Sequence, residues 1–270
     1  MMERTEKLRE QIVRALQKGN PALALSMAEA MSYDEQPAAI HHLVGLAHIK
    51  LDQLKPALDR LRRAASDARD GLTYAPELAD LLIQTAQFDE AIALCGDLTR
   101  RHPTQLSLWD ALARAHVANG DFSQAANAYQ RATELDPTNV DTWCNLAISR
   151  KKSGQVSKAA SAWRNAEELD PRGPRVTAGL GAMHLEAGDY KAAENYLELA
   201  RKRDPQALEP ILNLAMVWFQ QERHTEALSL LEELEQSDRE SMRSQYIRAL
   251  ALHGLDDPNA LHSLIHAASQ

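Results

Sequence analysis

The apolar residues between positions 106 and 139 fall into two runs of helical period, separated by a short polar break. The first run recurs at spacings of three and four residues, as one face of a helix does, and consists of Trp109, Leu112, Ala113, His116 and Val117. The second run has the same period and consists of Ala125, Ala128, Tyr129, Ala132 and Leu135. Between them, Gly120 suits the left-handed backbone that ends a helix, and Pro137 cannot continue one. The segment therefore predicts a helix, a tight turn, a second helix and a closing turn.

Small residues recur along the chain at a step of 34 residues, as from position 57 to position 91. The alanine series is Ala57, Ala91, Ala125, Ala159, Ala193 and Ala227. A parallel series is Gly45, Ala79, Ala113, Ala147, Gly181 and Ala215, and prolines with the same step are Pro103, Pro137, Pro171 and Pro205. Self-similarity at this period is typical of a helical repeat array. Small side chains let two antiparallel helices approach to roughly 8–10 Å, so we interpret both series as packing positions.

The repeated residues resemble the tetratricopeptide repeat, whose pattern is Trp-x2-Leu-Gly-x2-Tyr followed by Ala-x3-Phe, Ala and Pro. One unit matches in order through Trp109, Leu112, Ala113, His116, Ala125, Tyr129, Ala132 and Pro137. The next matches through Trp143, Leu146, Ala147, Arg150, Ala159, Trp163, Ala166 and Pro171. The resemblance implies an all-α, right-handed solenoid of about eight helix-turn-helix repeats, with degenerate repeats at both ends. It predicts a single array over residues 1–270, with repeats at 5–37, 38–71, 72–105, 106–139, 140–173, 174–207, 208–240 and 241–269.

Composition narrows the class of partner. Hydrophobic residues make up 44% of the chain and charged residues 25%, so the chain can bury a core. The formal net charge of −8 argues against a nucleic-acid groove, which needs a basic stripe. No stretch approaches the roughly 20 apolar residues of a membrane span, and the N-terminus lacks a signal-peptide pattern. We therefore expect a cytoplasmic protein that neither binds nucleic acid nor inserts into a membrane.

Common catalytic signatures are missing from the sequence, among them His-Glu-x-x-His, Gly-x-Ser-x-Gly and the phosphate-binding loop. We therefore predict a non-catalytic protein that holds no cofactor and no metal. His48, His116 and His184 share one repeat position, two repeats apart, which separates them by about 20 Å. They cannot share a zinc ion, whose ligands lie about 2 Å from the metal, so we expect them between the two helices of their repeats. We expect Cys95 to be a buried core thiol and Cys144 to face the ligand surface.

The resemblance also implies a ligand surface, which is the concave face lined by the first helix of each repeat. The predicted peptide-binding groove consists of first-helix residues that packing does not require: Arg114, Asn145, Ile148, Lys151, Lys152, Arg175, Leu212, Asn213, Met216 and Phe219. Asn145 and Asn213 fall where related scaffolds hydrogen-bond an extended peptide backbone, because an amide both donates and accepts. A solvated asparagine stays open as the alternative.

Two kinds of side chain in this predicted groove would select the partner. Its four basic residues favour an acidic segment. Leu212, Met216 and Phe219 offer an apolar slot, unless the terminal helices close over them. The sequence thus predicts a non-catalytic scaffold that binds a protein or an extended peptide. Two alternatives stay open: a substrate-recruiting arm of a multidomain enzyme such as a glycosyltransferase, and a scaffold for homo-oligomeric assembly.

Overall fold

The computed structural model describes residues 2–66 and 71–257, and the regular structure in these ranges is entirely helical. In chain order the helices are α1 Met2–Gln17, α2 Pro21–Ala28, α3 Ala38–Lys50, α4 Leu54–Ala65, α5 Gly71–Gln84, α6 Phe88–Arg101, α7 Leu106–Asn119, α8 Phe122–Leu135, α9 Val140–Lys152, α10 Val156–Leu169, α11 Pro174–Glu186, α12 Tyr190–Arg203, α13 Leu208–Gln220, α14 His224–Glu232, α15 Gln236–Arg239 and α16 Met242–Gly254. A single 3₁₀ turn, Tyr33–Glu35, lies between α2 and α3. The prediction of an all-α fold is confirmed.

Helices follow one another as hairpins, in which the first helix is odd-numbered through α13 and the second is even-numbered through α14. The helix α16 is the first helix of the predicted eighth repeat. The rest of that repeat, 258–269, lies outside the described residues.

The chain packs as two compact units, unit 1 at residues 1–137 and unit 2 at residues 138–270. Within unit 1, consecutive helices from α3 to α7 pack on one another, and α5 also contacts α7. Within unit 2, α11 packs on α12 and α13, and α13 contacts α14 and α16. Each unit is therefore a stack of hairpins held by contacts between neighbours, as in a helical solenoid. A single array over the whole chain stays a prediction.

Every hairpin turn in the described residues contains one residue with left-handed backbone. The φ angle lies between 55° and 85° at Gly19, Asp52, Ala86, Gly120, Gly154, Gly188, Glu222 and Asp256. From Asp52 onward these residues recur every 34 positions, so the backbone has the same period as the small side chains. The predicted turn at Gly120 is confirmed. Asp256 follows α16, so the turn of the eighth repeat keeps this phase.

The small-residue series lies where two helices of a hairpin approach closely. All six alanines from Ala57 to Ala227 are at most 3% exposed. A Cβ atom added at Gly45 would lie 2.9 Å from the Leu61 side chain, and one at Gly181 would lie 2.5 Å from Leu197. Each glycine therefore makes room for a leucine of the second helix, and the interpretation of both series as packing positions is confirmed.

Candidate functional site

The predicted groove residues are divided between the two units. Arg114 lies on α7 in unit 1. The other nine lie in unit 2: Asn145, Ile148, Lys151 and Lys152 on α9, Arg175 on α11, and Leu212, Asn213, Met216 and Phe219 on α13. Of these, the structure brings Asn145 and Arg175 into direct contact.

Arg175 bridges two consecutive first helices. Its Nη1 donates to Oδ1 of Asp141 over 2.6 Å, and its Nη2 donates to Oδ1 of Asn145. Both acceptors lie on α9, 34 and 30 residues before the arginine. The planar guanidinium suits this geometry because its donors form a fixed fork. The carbonyl oxygen of Asn145 is therefore already occupied by the next repeat.

The same fork recurs at the end of unit 2. Arg243 donates through Nη1 to Glu209 and through Nη2 to Oδ1 of Asn213, again 34 and 30 residues earlier. Asn213 is buried. The oxygen of Asn213 therefore joins α13 to α16, which leaves only the amide nitrogen of this buried side chain for a peptide backbone, and its contact with a peptide stays a prediction. Sequence reasoning missed both forks, although an acid, an asparagine four residues later and an arginine at the 34-residue step could have shown them.

The predicted basic character of the groove is largely neutralised by carboxylates. Lys151 pairs with Glu186 at 2.5 Å, and Arg175 with Asp141. In unit 1, Arg114 pairs with Asp80 at 2.7 Å and with Asp110. Such partly exposed pairs are worth roughly 0.2–1 kcal/mol each, so their main effect here is on local charge. Three of the four cations, Arg114, Lys151 and Arg175, are therefore already paired with carboxylates, which weakens the argument for an acidic partner segment.

Burial around Arg114 perturbs the acid on its own helix. Desolvation raises the pKa of the Asp110 carboxyl, and the nearby Arg114 guanidinium opposes that rise. Asp80 reaches the same arginine from the preceding first helix. The cluster is therefore an acid–arginine–acid arrangement that joins α5 to α7.

The apolar part of the predicted groove is mostly covered. Leu212 is 1% exposed, so the expectation that it faces an open groove is wrong. Met216 and Phe219 are half-buried against the core of unit 2, and the Phe219 ring centroid lies 5.4 Å from that of His224. The cause is that α13 is apolar nearly all round and packs against α11, α12, α14 and α16. Ile148 differs, because it is 37% exposed.

Both cysteines are buried. Desolvation raises the pKa of Cys95 to about 12, as expected of an inert core thiol. Cys144 is also buried, and desolvation raises its pKa to about 11. The expectation that Cys144 faces the ligand surface is therefore wrong, and little thiolate forms at neutral pH.

Each of the three histidines of the shared repeat position lies near the residue that follows the left-handed residue of its hairpin turn, and for His116 the distance to Asp121 is 3.7 Å. Nδ1 of His48 lies 2.7 Å from Oε1 of Gln53. His184 lies 3.4 Å from Asp189, and its ring stacks on Tyr196 of α12 at 5.4 Å. These contacts place the rings beside the turn between two helices. Residues 2–66 and 71–257 contain no group of three or more His, Cys, Asp or Glu side chains close enough to hold a metal ion.

No helix in the described part of the chain combines the length and apolar character that crossing a bilayer requires.

The geometry defines an all-α repeat protein whose successive first helices are joined by side-chain forks and ion pairs. Three family models described as tetratricopeptide repeat match residues 106–149, 144–208 and 184–252. The chain belongs to the tetratricopeptide repeat family, as the sequence resemblance implied. Family and fold together point to a protein-interaction scaffold of a non-catalytic kind. No curated protein matches the chain.

Solved structures share this fold at low sequence identity. A tetratricopeptide repeat protein from Parabacteroides merdae is 13% identical, with a TM-score of 0.70 over 86% of this chain and 92% of that one. MamA MSR-1 is 23% identical, with a TM-score of 0.51 over 63% of this chain and 98% of that one. MamA from Desulfovibrio magneticus RS-1 is 17% identical, with a TM-score of 0.54 over 62% and 95%. At these identities the likeness shows the fold alone.

Proposed function

We propose that the chain is a non-catalytic scaffold that binds an extended peptide segment of another protein on the first helices of unit 2. We call the binding region the first-helix surface, and define it as Asp141, Asn145, Ile148, Lys151, Arg175 and Glu186. The observation that carries the proposal is the exposure of Ile148, an apolar side chain at 37% on a helix face that packing leaves open. Asp141 and Asn145 lie on the same face of α9, since spacings of three, four and seven residues share a face.

Apolar contact would supply most of the affinity at this surface. Covering a large aliphatic side chain contributes about 1.5–3 kcal/mol, which exceeds the contribution of any one exposed ion pair. The two ion pairs beside Ile148 balance in charge, as Asp141 and Glu186 offset Arg175 and Lys151. We therefore infer that the partner is chosen by an apolar anchor and by its backbone, and less by net charge than the sequence suggested.

Asn145 supplies the polar contact in this proposal. Its oxygen accepts from Arg175, and no hydrogen bond from its amide nitrogen is found in the described residues. The nitrogen therefore stays able to donate to a peptide carbonyl, while the arginine fixes the rotamer. In this proposal Asn145 only donates a hydrogen bond to the peptide, whereas the sequence suggested that its amide would both donate and accept.

The experiment starts by capturing partners with the tagged chain and identifying them by mass spectrometry. Ile148→Asp is then compared with Val156→Asp, since Val156 is a 63% exposed apolar residue on the second helix α10. We expect Ile148→Asp to weaken partner binding by roughly tenfold or more, and Val156→Asp to leave it within error. Equal affinity of the two variants, with both folded by circular dichroism, would contradict the proposed surface.

A further inference from the structure

The second helix of the first hairpin is short. Helix α2 has 8 residues and α14 has 9, whereas α6, α8, α10 and α12 have 14 each. After α2 the chain enters a loop with one 3₁₀ turn before α3 begins. A cavity of about 380 Å³ lies between α2, this loop, α3 and α4.

The cavity has an apolar part and a polar rim. Its apolar lining consists of Leu25, Ala28, Met31 and Val44. Its polar lining consists of Glu29, Tyr33, Gln36, His48 and Arg60. Glu29 is an exposed side chain, and Nδ1 of His48 is engaged by Gln53. Arg60 is therefore the cation that the cavity offers.

Arg60 is held in place by groups from three directions. Its guanidinium carbon lies 4.2 Å from the centre of the Tyr33 ring, close enough for a cation–π contact. Its Nη1 donates to Oε1 of Gln36 over 2.7 Å and faces Nδ1 of His41 at 3.2 Å. Gln36 is itself 7% exposed and fixed, since its Nε2 donates to the backbone oxygens of Ala28 and Met31. The guanidinium is thus preorganised.

Nothing in the described residues neutralises this guanidinium with an ion pair. The nearest acid on its own helix, Asp59, accepts from the Tyr33 hydroxyl at 2.8 Å. Burial and the nearby Arg60 and Arg63 lower the pKa of His41, so its ring is neutral at pH 7 and accepts at Nδ1. The Nε and Nη2 edge of Arg60, which a carboxylate contacts with two parallel hydrogen bonds, is left without a partner inside residues 2–66 and 71–257.

We propose that this cavity is a binding site for a small aliphatic carboxylate, with its carboxylate on Arg60 and its apolar tail against Leu25, Ala28, Met31 and Val44. A carboxylate fits better than a phosphate, because the nearby carboxylates of Glu29 and Asp59 repel its single negative charge less than they repel the larger charge of a phosphate. The carboxylate comes either from a free organic acid or from the terminal residue of a peptide. The site is separate from the first-helix surface and does not depend on the proposed function.

The experiment titrates the full chain with hexanoate and with uncharged hexanamide, followed by NMR chemical shifts and calorimetry. We expect hexanoate to bind with one site per chain and hexanamide to bind roughly tenfold or more weakly, because it lacks the charge. A leucine-ended tripeptide with a free or an amidated C-terminus forms the second arm. Tighter binding of the free-ended tripeptide than of hexanoate identifies a chain end, and the reverse order identifies a free acid. Equal binding of hexanoate and hexanamide would overturn the proposal.

The variants separate a binding role of Arg60 from a structural one. Arg60→Gln should weaken hexanoate binding by roughly tenfold or more. Arg63→Gln is the control, because it removes an equal charge from an exposed position on the same helix. It should change hexanoate binding by no more than about twofold. Met31→Trp fills the cavity while keeping Arg60, and should abolish binding without lowering the thermal midpoint as far as Arg60→Gln does. Unchanged hexanoate affinity in either Arg60→Gln or Met31→Trp would refute the site.

Discussion

Trp163 occupies space that Gly179 leaves open in the following first helix. A Cβ atom built on Gly179 would lie 2.1–2.5 Å from three atoms of the Trp163 ring, inside any real contact distance. The tryptophan is buried, so its ring cannot swing into solvent. At the scale of single residues, α10 and α11 therefore pack by placing the large Trp163 ring directly against the backbone of Gly179, which has no side chain.

Gly179→Ala should lower the free energy of unfolding by about 1–3 kcal/mol, because the added methyl group overpacks this contact. Trp163→Phe should relieve the clash. The double variant should therefore lose less free energy of unfolding than the two single variants lose in sum. Urea denaturation monitored by circular dichroism measures all three variants.

The control for this change is Gly96→Ala in α6, where an added Cβ meets no atom within 4 Å. Alanine is the better helix former, so this variant should gain about 0.5–1 kcal/mol. A loss of stability at Gly96 as large as that at Gly179 would contradict the assignment of the Gly179 effect to the tryptophan ring.

Glu194 joins α12 to the following hairpin through three donors. It accepts from Nε1 of Trp218 at 2.8 Å, from Nη1 of Arg223 at 2.7 Å and from Nε2 of Gln221 at 3.2 Å. Burial alone would raise the pKa of Glu194, but these hydrogen bonds outweigh it and lower the pKa below its ordinary value near 4.5. The ionised form is therefore bound more tightly in the folded state than in the unfolded state.

Glu194→Gln should lower the free energy of unfolding by about 1–2 kcal/mol at pH 7, since hydrogen bonds to a charged group are lost at a partly buried site. A depressed folded-state pKa gives stability that is present above the unfolded pKa and is lost as pH falls through the folded pKa. The difference between wild type and variant should therefore shrink below about pH 4.5. Urea unfolding at a series of pH values measures it.

Glu226→Gln is the matched control, because Glu226 pairs with the same Arg223 at 3.1 Å from an exposed position. Its effect on stability should be much smaller than that of Glu194→Gln. If the two variants lose the same stability at pH 7, the three-donor site at Glu194 has no special role.

At the scale of elements, the hairpin turns use one backbone geometry with two kinds of residue. Gly154 adopts a left-handed φ of 79°, and Ala86 adopts 57° at the same repeat position. Glycine populates this region freely, whereas a Cβ atom makes it costly by about 1–2 kcal/mol. At the turns with a non-glycine residue, packing of the two flanking helices therefore offsets the cost of the left-handed backbone.

Gly154→Ala should lower the free energy of unfolding by about 1–2 kcal/mol, because it places a Cβ in the left-handed region. Ala86→Gly should raise it by less, because glycine also gains freedom in the unfolded chain. Thermal and urea unfolding compare the two variants. The two substitutions should change the free energy of unfolding in opposite directions. Destabilisation by Ala86→Gly would contradict the turn assignment.

At the scale of the whole molecule, each unit contains its own hairpins and its own buried residues. Unit 1 has an apolar cluster that includes Ile12, Ile40 and Val44, and unit 2 has one that includes Leu212, Leu214 and Leu230. In a repeat protein, stability is approximately a sum of repeat and nearest-neighbour terms. Either unit should therefore retain structure when it is produced alone.

We expect separate chains 1–137 and 138–270 each to show a helical circular dichroism spectrum and a cooperative unfolding transition. Truncations that cut through the middle of α5 or α11 should instead lose the severed hairpin. A disordered spectrum for either separate unit would show that its internal contacts are insufficient.

Sequence alone determined the repeat period, the turn at Gly120 and the burial of the small-residue series. These features depend on backbone conformation and on contacts within one hairpin, so a pattern in 34 residues is enough to reveal them. The resemblance to the family rests on the same local signals. The burial of Cys95 also followed from its place in the repeat pattern.

Only the tertiary structure decided which first-helix side chains are open to a ligand. Leu212 and Cys144 are buried, and Asn145 and Asn213 are held by arginines 30 residues later. Exposure of a first-helix residue depends on the side chains of neighbouring repeats, which a periodic pattern within one repeat does not specify. The cavity beside Arg60 also depends on tertiary structure, because its lining residues lie on α2, the following loop, α3 and α4, which only packing brings together.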